Sequence, residues 1–374
     1  MRILGGKDAS GAGFSLGIEG TVQGAPAADS PYLDATGLTV VPGFIDLQVN
    51  GGFGHDFTEE PQSIWEVGGR LPEHGVTAFC PTIITSPHDR VVAAQRAMAQ
   101  RPDGYRGAEP IGLHIEGPHL AREKRGTHPA DLLTAPSTSE LTTDHVAMVT
   151  LAPELDGALD LIRQLVAAGV VVSIGHSMAS AEEARLALDA GATMGTHLLN
   201  AMPPITAREP GLAGVLLADD RAWFGMIVDG HHHDPAVVKA AFAAAPERFV
   251  LVSDGVAAMG MPAGDYRIGS VEVSVTDGAV RNADGALAGA SMPIDRELAL
   301  LQAITGANLP AVVATATMNP SEAIRRWDMG RIRRGARADL VLLDGDRVVA
   351  TIVGGSLTHL AEPDRWKGHP DAAA

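Results

Sequence analysis

Four short segments place a carboxylate or an imidazole directly after an aliphatic run. Glu116 lies in His114-Ile115-Glu116-Gly117-Pro118 and His176 in Ile174-Gly175-His176-Ser177. His197 lies in Gly195-Thr196-His197-Leu198, and Asp254 in Val252-Ser253-Asp254-Gly255. A fifth segment, Asp229-Gly230-His231-His232-His233, adds one acid and three imidazoles. Two imidazoles and one carboxylate form a donor set suited to Zn²⁺ or Fe²⁺ with a coordination position left open. An ion so held lowers the pKa of a water toward neutrality and polarises a carbonyl. Asp254 beside that set is placed to take a proton from the water and hand it to a leaving amine. One histidine at a strand end is most often a hydrogen-bonded spectator. Four such residues at four matching positions are harder to dismiss.

These positions need a frame that brings them together. The aliphatic runs read as eight strands, at 43–49, 76–83, 111–115, 146–151, 170–174, 192–196, 223–228 and 249–252. Ala-rich helical stretches fall between them at 62–73, 89–100, 157–168, 179–190 and 235–245, with Ser180 as N-cap ahead of Glu182-Glu183. The alternation predicts an α/β fold, a (β/α)8 TIM-like barrel, whose site forms where the strands end. No GxGxxG or GxxxxGK[ST] sequence occurs, which counts against a doubly wound open sheet. Residues 265–289 read as a β-hairpin insertion, with strands at 271–275 and 279–281 around Thr276-Asp277-Gly278. Helices are expected at 293–304, 309–317 and 320–328. Short β-like pieces before residue 42 and strands at 338–343 and 348–353 are expected to pair into a small β-sandwich domain, because neither end alone makes a stable sheet. The expected division is 1–42 and 336–374 for that domain and 43–335 for the barrel.

Bulk properties narrow the partners. The chain has 374 residues, with 28 Lys+Arg against 45 Asp+Glu and a net charge of -17. That balance excludes an extended nucleic-acid surface, but leaves room for an anionic small molecule at a locally positive pocket. No apolar run reaches the roughly 18 residues of a membrane span, and the start, MRILGGKDAS, has no hydrophobic leader segment. The single cysteine, Cys80, excludes an internal disulfide framework and reads as a small buried hydrophobe. A cytoplasmic protein is expected.

The order Pro42-Gly43-Phe44-Ile45-Asp46, then Glu, His, His and Asp at successive strand ends, resembles the amidohydrolase superfamily. Within it, the chain is similar to the N-acetylglucosamine-6-phosphate deacetylases. The matching stretches include GFIDLQVNGGFGHDF (43–57), GLHIEGPHL (112–120), KRGTHPA (124–130), GTHLLNAMPPITAREPGLAG (195–214), DGHHHDP (229–235) and GALAG (285–289).

The resemblance implies that Glu116, His176 and His197 hold one divalent metal per chain, Zn²⁺ first and Fe²⁺ second. It implies that Asp254 is the general acid/base and that His128 polarises the amide carbonyl. Thr127, His128, Asn200, Ala201, Arg208, His232, Leu287, Ala288 and Gly289 are implied as substrate contacts. Arg208 carries a planar fork suited to phosphate oxygens. The implied reaction is hydrolysis of the acetamide of N-acetylglucosamine 6-phosphate, in a homodimer. The galacto epimer or a cyclic amide is the alternative substrate. One departure matters: where most of the superfamily has His-x-His at the end of the first strand, this chain has Gln48-Val49-Asn50. Neutral amides are poor ligands for Zn²⁺ beside imidazole, so a second metal is not expected there. His119, His231 and His233 also depart from the pattern and carry no assigned role.

Overall fold

The structure is a computed structural model describing residues 1–23, 30–137 and 143–367. Eight parallel strands form its centre: β1 (Phe44–Val49), β2 (Val76–Ile84), β3 (Leu113–Glu116), β4 (Val146–Leu151), β5 (Val171–Ile174), β6 (Met194–Gly195), β7 (Trp223–Met226) and β8 (Phe249–Leu251). Each pairs in parallel with the next. A parallel bridge from Val49 to Gly255 closes the ring. Every residue of β1, β2 and β5 is buried, as expected when one face fills a barrel and the other is covered by helices.

Nine helices are described: α1 (Ile64–Arg70), α2 (His88–Ala99), α3 (Ala158–Ala167), α4 (Ala181–Ala190), α5 (Gly211–Ala218), α6 (Pro235–Ala244), α7 (Ile294–Thr305), α8 (Leu309–Thr315) and α9 (Met318–Ala323). Their starts follow from local chemistry. Ser180 caps α4 with a full capping box to Glu183, and Asp234 caps α6 ahead of Pro235. Helix α3 buries Leu161, Ile162 and Leu165 on one stripe. Among the described residues no helix is long and apolar enough to cross a membrane.

Several elements differ from the sequence reading. Helix α5 was not expected, because Gly-Leu-Ala-Gly-Val-Leu-Leu-Ala is apolar on every side and shows no helical stripe. It is buried nearly all round, so it needs none. Helix α1 is shorter than 62–73, since Pro61 and Pro72 start separate 3-10 turns at Pro61–Ser63 and Leu71–His74. Helix α9 ends well before residue 328, and Arg325 takes a left-handed φ of 60°. Strand β6 has only two residues, and His197, two beyond it, takes a positive φ of 28°.

A second, nine-stranded sheet joins the two ends of the chain. Leu340–Asp344 runs antiparallel to Thr39–Pro42, which in turn pairs with Arg2–Asp8. Arg347–Val353 and Ser356–Leu360 extend it on the C-terminal side. Ile3, Leu33, Leu340 and Ile352 centre its own core. The expected hairpin near 271–281 gains a third strand, Asp265–Ile268. This small sheet packs against Ile84, Val256 and Ala258 through Ile268, Val273, Val275 and Val280.

The closure after β1 is tight. Asn50 and Gly51 both donate their backbone N–H to the Gly255 carbonyl. A Cβ at Gly51 would lie 2.1 Å from the His55 carbonyl oxygen, which is backbone and cannot swing away. Gly51→Ala is therefore expected to destabilise the protein by ~1–3 kcal/mol, the usual range for overpacking. Equilibrium unfolding in urea checks this, and an unchanged midpoint would mean that the closure is slack.

Candidate active site

Glu116 ends β3, and its side chain is buried. His176 and His197 each lie two residues beyond their strands, and Asp254 three beyond β8. All three have positive φ, 49°, 28° and 48°. Non-glycine residues adopt that region at some cost, and it persists where surrounding structure enforces it. Here it swings three strand ends inward over the barrel axis.

The side chains then converge. Glu116 Oε1 is 3.3 Å from His176 Nε2 and 3.3 Å from His197 Nε2, and the two Nε2 atoms are 3.0 Å apart. Among the described residues this trio is the group whose donor atoms could hold a metal ion. A tetrahedral ion about 2.1 Å from each donor would set neighbouring donors about 3.4 Å apart, so the spacing fits. The His176 ring is fixed for that role. Its Nδ1 donates to the Lys124 carbonyl at 2.7 Å, which leaves a bare lone pair on Nε2.

Gln48 and Asn50 are turned to a different use. Gln48 Nε2 donates to Asp254 Oδ1 at 2.9 Å and touches Glu116 Oε1 at 3.3 Å, while Asn50 Nδ2 donates to the same Asp254 oxygen at 2.8 Å. Two amides thus fix one carboxylate oxygen. Burial and the nearby Glu116 charge raise the Asp254 carboxyl to about 6, against the pull of His197, His232 and Asn50. On its other side, Gly289 passes so close that a Cβ there would meet the Asp254 carbonyl at 2.7 Å.

His128 stands beside this group, with Nε2 3.8 Å from Glu116 Oε2. Its Nδ1 receives the Thr85 backbone N–H at 3.3 Å and meets the Thr85 hydroxyl at 2.8 Å. A backbone N–H can only donate, so Nδ1 presents a lone pair and Nε2 carries the proton. Burial and the neighbouring His176 push this imidazole down to about 3. His232 is held by Asp229, whose Oδ2 lies 2.9 Å from His232 Nδ1. Burial opposes the Asp229 charge, but the His232 contact outweighs it and takes the carboxyl to about 2.

A cavity of about 330 Å³ opens over the trio. Thr127, His128, Asn200, Ala201, His232, Leu287, Ala288 and Gly289 line it together with Glu116, His176, His197 and Asp254. Arg208 does not: it is exposed on the segment before α5 and is absent from the cavity lining of its own chain. The cavity also takes in Glu123 and Lys124, which the sequence reading passed over although Lys124 opens the quoted stretch at 124–130. Ile84, Ile227 and Ile268 add apolar wall, the last from the hairpin. The three unassigned histidines separate. His119 bonds the Thr134 carbonyl, and His231 is exposed. His233 Nε2 lies 3.0 Å from Asn200 Nδ2 and so braces a residue of the cavity wall.

The amidohydrolase family model matches residues 39–362. This chain belongs to the amidohydrolase family. It is 38% identical to the N-acetylglucosamine-6-phosphate deacetylase of Rattus norvegicus, over 88% of this chain and 85% of that one. It is 36% identical to the N-acetylgalactosamine-6-phosphate deacetylase of Escherichia coli O157:H7, over 81% and 83%. Among solved structures it resembles a variant of the Mycobacterium smegmatis N-acetyl-D-glucosamine-6-phosphate deacetylase in complex with N-acetyl-D-glucosamine-6-phosphate. There the TM-score is 0.85 at 35% identity, covering 96% of this chain and 97% of that one.

The tautomer of His128 can be read directly. Ring-nitrogen NMR on the Zn²⁺-loaded protein is expected to show neutral imidazole protonated on Nε2 across about pH 5 to 9, because its pKa lies below that window. An imidazolium at pH 7 would contradict the assignment.

Proposed function

We propose that this protein hydrolyses the acetamide of N-acetylglucosamine 6-phosphate, giving glucosamine 6-phosphate and acetate. The observation that carries this reading is one cavity holding the Glu116–His176–His197 donor set, a fixed carboxylate and a neutral imidazole donor. The named activity of the relatives supports it. The galacto epimer is the second substrate, favoured by the E. coli relative. A cyclic amide is disfavoured, because enzymes of that kind commonly bridge two metals with a carboxylated lysine and β4, Val-Ala-Met-Val-Thr-Leu, has no lysine.

A divalent ion on Glu116, His176 and His197 supplies Lewis acidity and makes a water acidic enough to serve as nucleophile near neutral pH. The chain's own groups do the rest. Asp254 accepts the proton of the attacking water through the carboxylate that Gln48 and Asn50 orient. His128 Nε2–H donates to the amide oxygen as negative charge gathers on it. Asp254 then returns the proton to nitrogen as the C–N bond breaks and the amine leaves. Thr127, Asn200, Ala201, His232 and Leu287-Ala288-Gly289 position the sugar.

We assign one ion per chain, with Zn²⁺ ahead of Fe²⁺. We also assign a homodimer: Arg208 lies off its own cavity, so a second copy is the way its guanidinium reaches a phosphate. The single buried Cys80 suits a reducing cytoplasm.

Asp254→Asn keeps the size of the side chain but removes the base. It is expected to retain fold and metal while lowering kcat on N-acetylglucosamine 6-phosphate by at least ~100-fold, the low end for a positioned acid/base. Acetate release on a metal-loaded, correctly folded variant measures this. Near-normal turnover would take Asp254 out of the mechanism.

A further inference from the structure

Several barrel strands change character just before they reach the donor trio. Met148, Val171 and Met194 belong to one buried apolar cluster, the usual filling of such an interior. Two residues further along the chain in each case, and so on the same face of the strand, stand Thr150, Ser173 and Thr196. His114 joins them from β3. All four are buried, with none more than 2% exposed. Polar groups at that depth cost stability unless they bond to one another.

They do, in one continuous chain. Ser173 Oγ lies 2.5 Å from Thr196 Oγ1, Thr196 Oγ1 lies 2.7 Å from Thr150 Oγ1, and Thr150 Oγ1 lies 2.7 Å from His114 Nε2. These contacts tie together β3, β5 and the end of β6, which supply Glu116, His176 and His197, and β4, which runs between β3 and β5. His114 stands two residues before Glu116, Ser173 three before His176, and Thr196 one before His197. Thr196 is the node, with a hydroxyl on either side. It also stands where the backbone ties are fewest, since β6 has two residues. Gly175, next to His176, leaves the room that Thr196 fills: a Cβ there would lie 2.8 Å from Thr196 Cβ. An aliphatic layer could fill the same space, but it could not bond the three strand ends to one another.

We propose that this buried chain, with Thr196 as its central positioning residue, sets the mutual spacing of the Glu116, His176 and His197 donor atoms and thereby the affinity of the site for a divalent ion. The proposal rests on the metal reading above.

The experiment measures the Zn²⁺ affinity of the apoprotein by competition with a chromophoric chelator, together with the thermal midpoint of the apoprotein. It compares wild type, Thr196→Val, Thr196→Ser and Ser173→Ala. Thr196→Val exchanges one hydroxyl for a methyl of similar size. It should weaken Zn²⁺ binding about 10- to 100-fold, the scale for groups that stand behind metal ligands. Thr196→Ser should keep most of the affinity. Ser173→Ala should also weaken binding, and adding it to Thr196→Val should cost little more, because the bond it removes is already gone. An unchanged Zn²⁺ affinity in folded Thr196→Val would overturn the proposal whatever the midpoint does, and would make the chain a matter of core packing alone. Full additivity of the two substitutions would overturn it too. Should Thr196→Val not fold, Ser173→Ala decides: a loss of affinity supports the chain, and none overturns it. A wild type that binds no Zn²⁺ tightly would remove the metal reading itself, and the proposal with it.

Discussion

Two imidazole nitrogens 3.0 Å apart, both 3.3 Å from one buried carboxylate oxygen, set the constraint that shapes this molecule. Three acceptors so placed repel unless something positive lies among them, and burial removes the water that would screen them. A divalent cation satisfies all three at once. The barrel curves β3, β5 and β6 around one axis, with β4 between the first two, so that their ends meet. The left-handed turns at His176 and His197 spend backbone strain to aim the rings. The Lys124 carbonyl then fixes the His176 tautomer.

The departure at Gln48 and Asn50 follows from the same constraint. A second imidazole pair would add lone pairs and call for a second cation. Amide groups bring N–H donors instead, and both spend one on Asp254 Oδ1. The carboxylate gains a fixed direction in a low-dielectric site without another charge nearby. The closure from Val49 to Gly255 holds donors and acceptor in register, since Asn50 and Asp254 each adjoin it.

Much of this was legible in the sequence. The strands expected at 76–83 and 146–151 are mostly apolar segments bounded by turn residues, and such segments are found well. The donor set was legible because each member lies at or within two residues of a strand's end. Helix α5 was not, because an apolar segment buried on all sides has no stripe to read. The cavity wall was legible only where a motif marked it. Lys124 was overlooked since nothing local in the sequence distinguishes it from Arg122 and Arg125 around it; its place depends on a loop folding back to Met202. Arg208 is the other case: its chemistry suits phosphate, but position along the chain could not tell that it is absent from the cavity lining of its own chain.

The most direct measurement is anomalous diffraction from metal-loaded crystals, with the metal content of the same protein measured in solution. The account predicts one ion per chain, bonded to Glu116, His176 and His197, with Gln48 and Asn50 still donating to Asp254. Two fully occupied ions bridged by Glu116, with the amides pulled off Asp254, would contradict it.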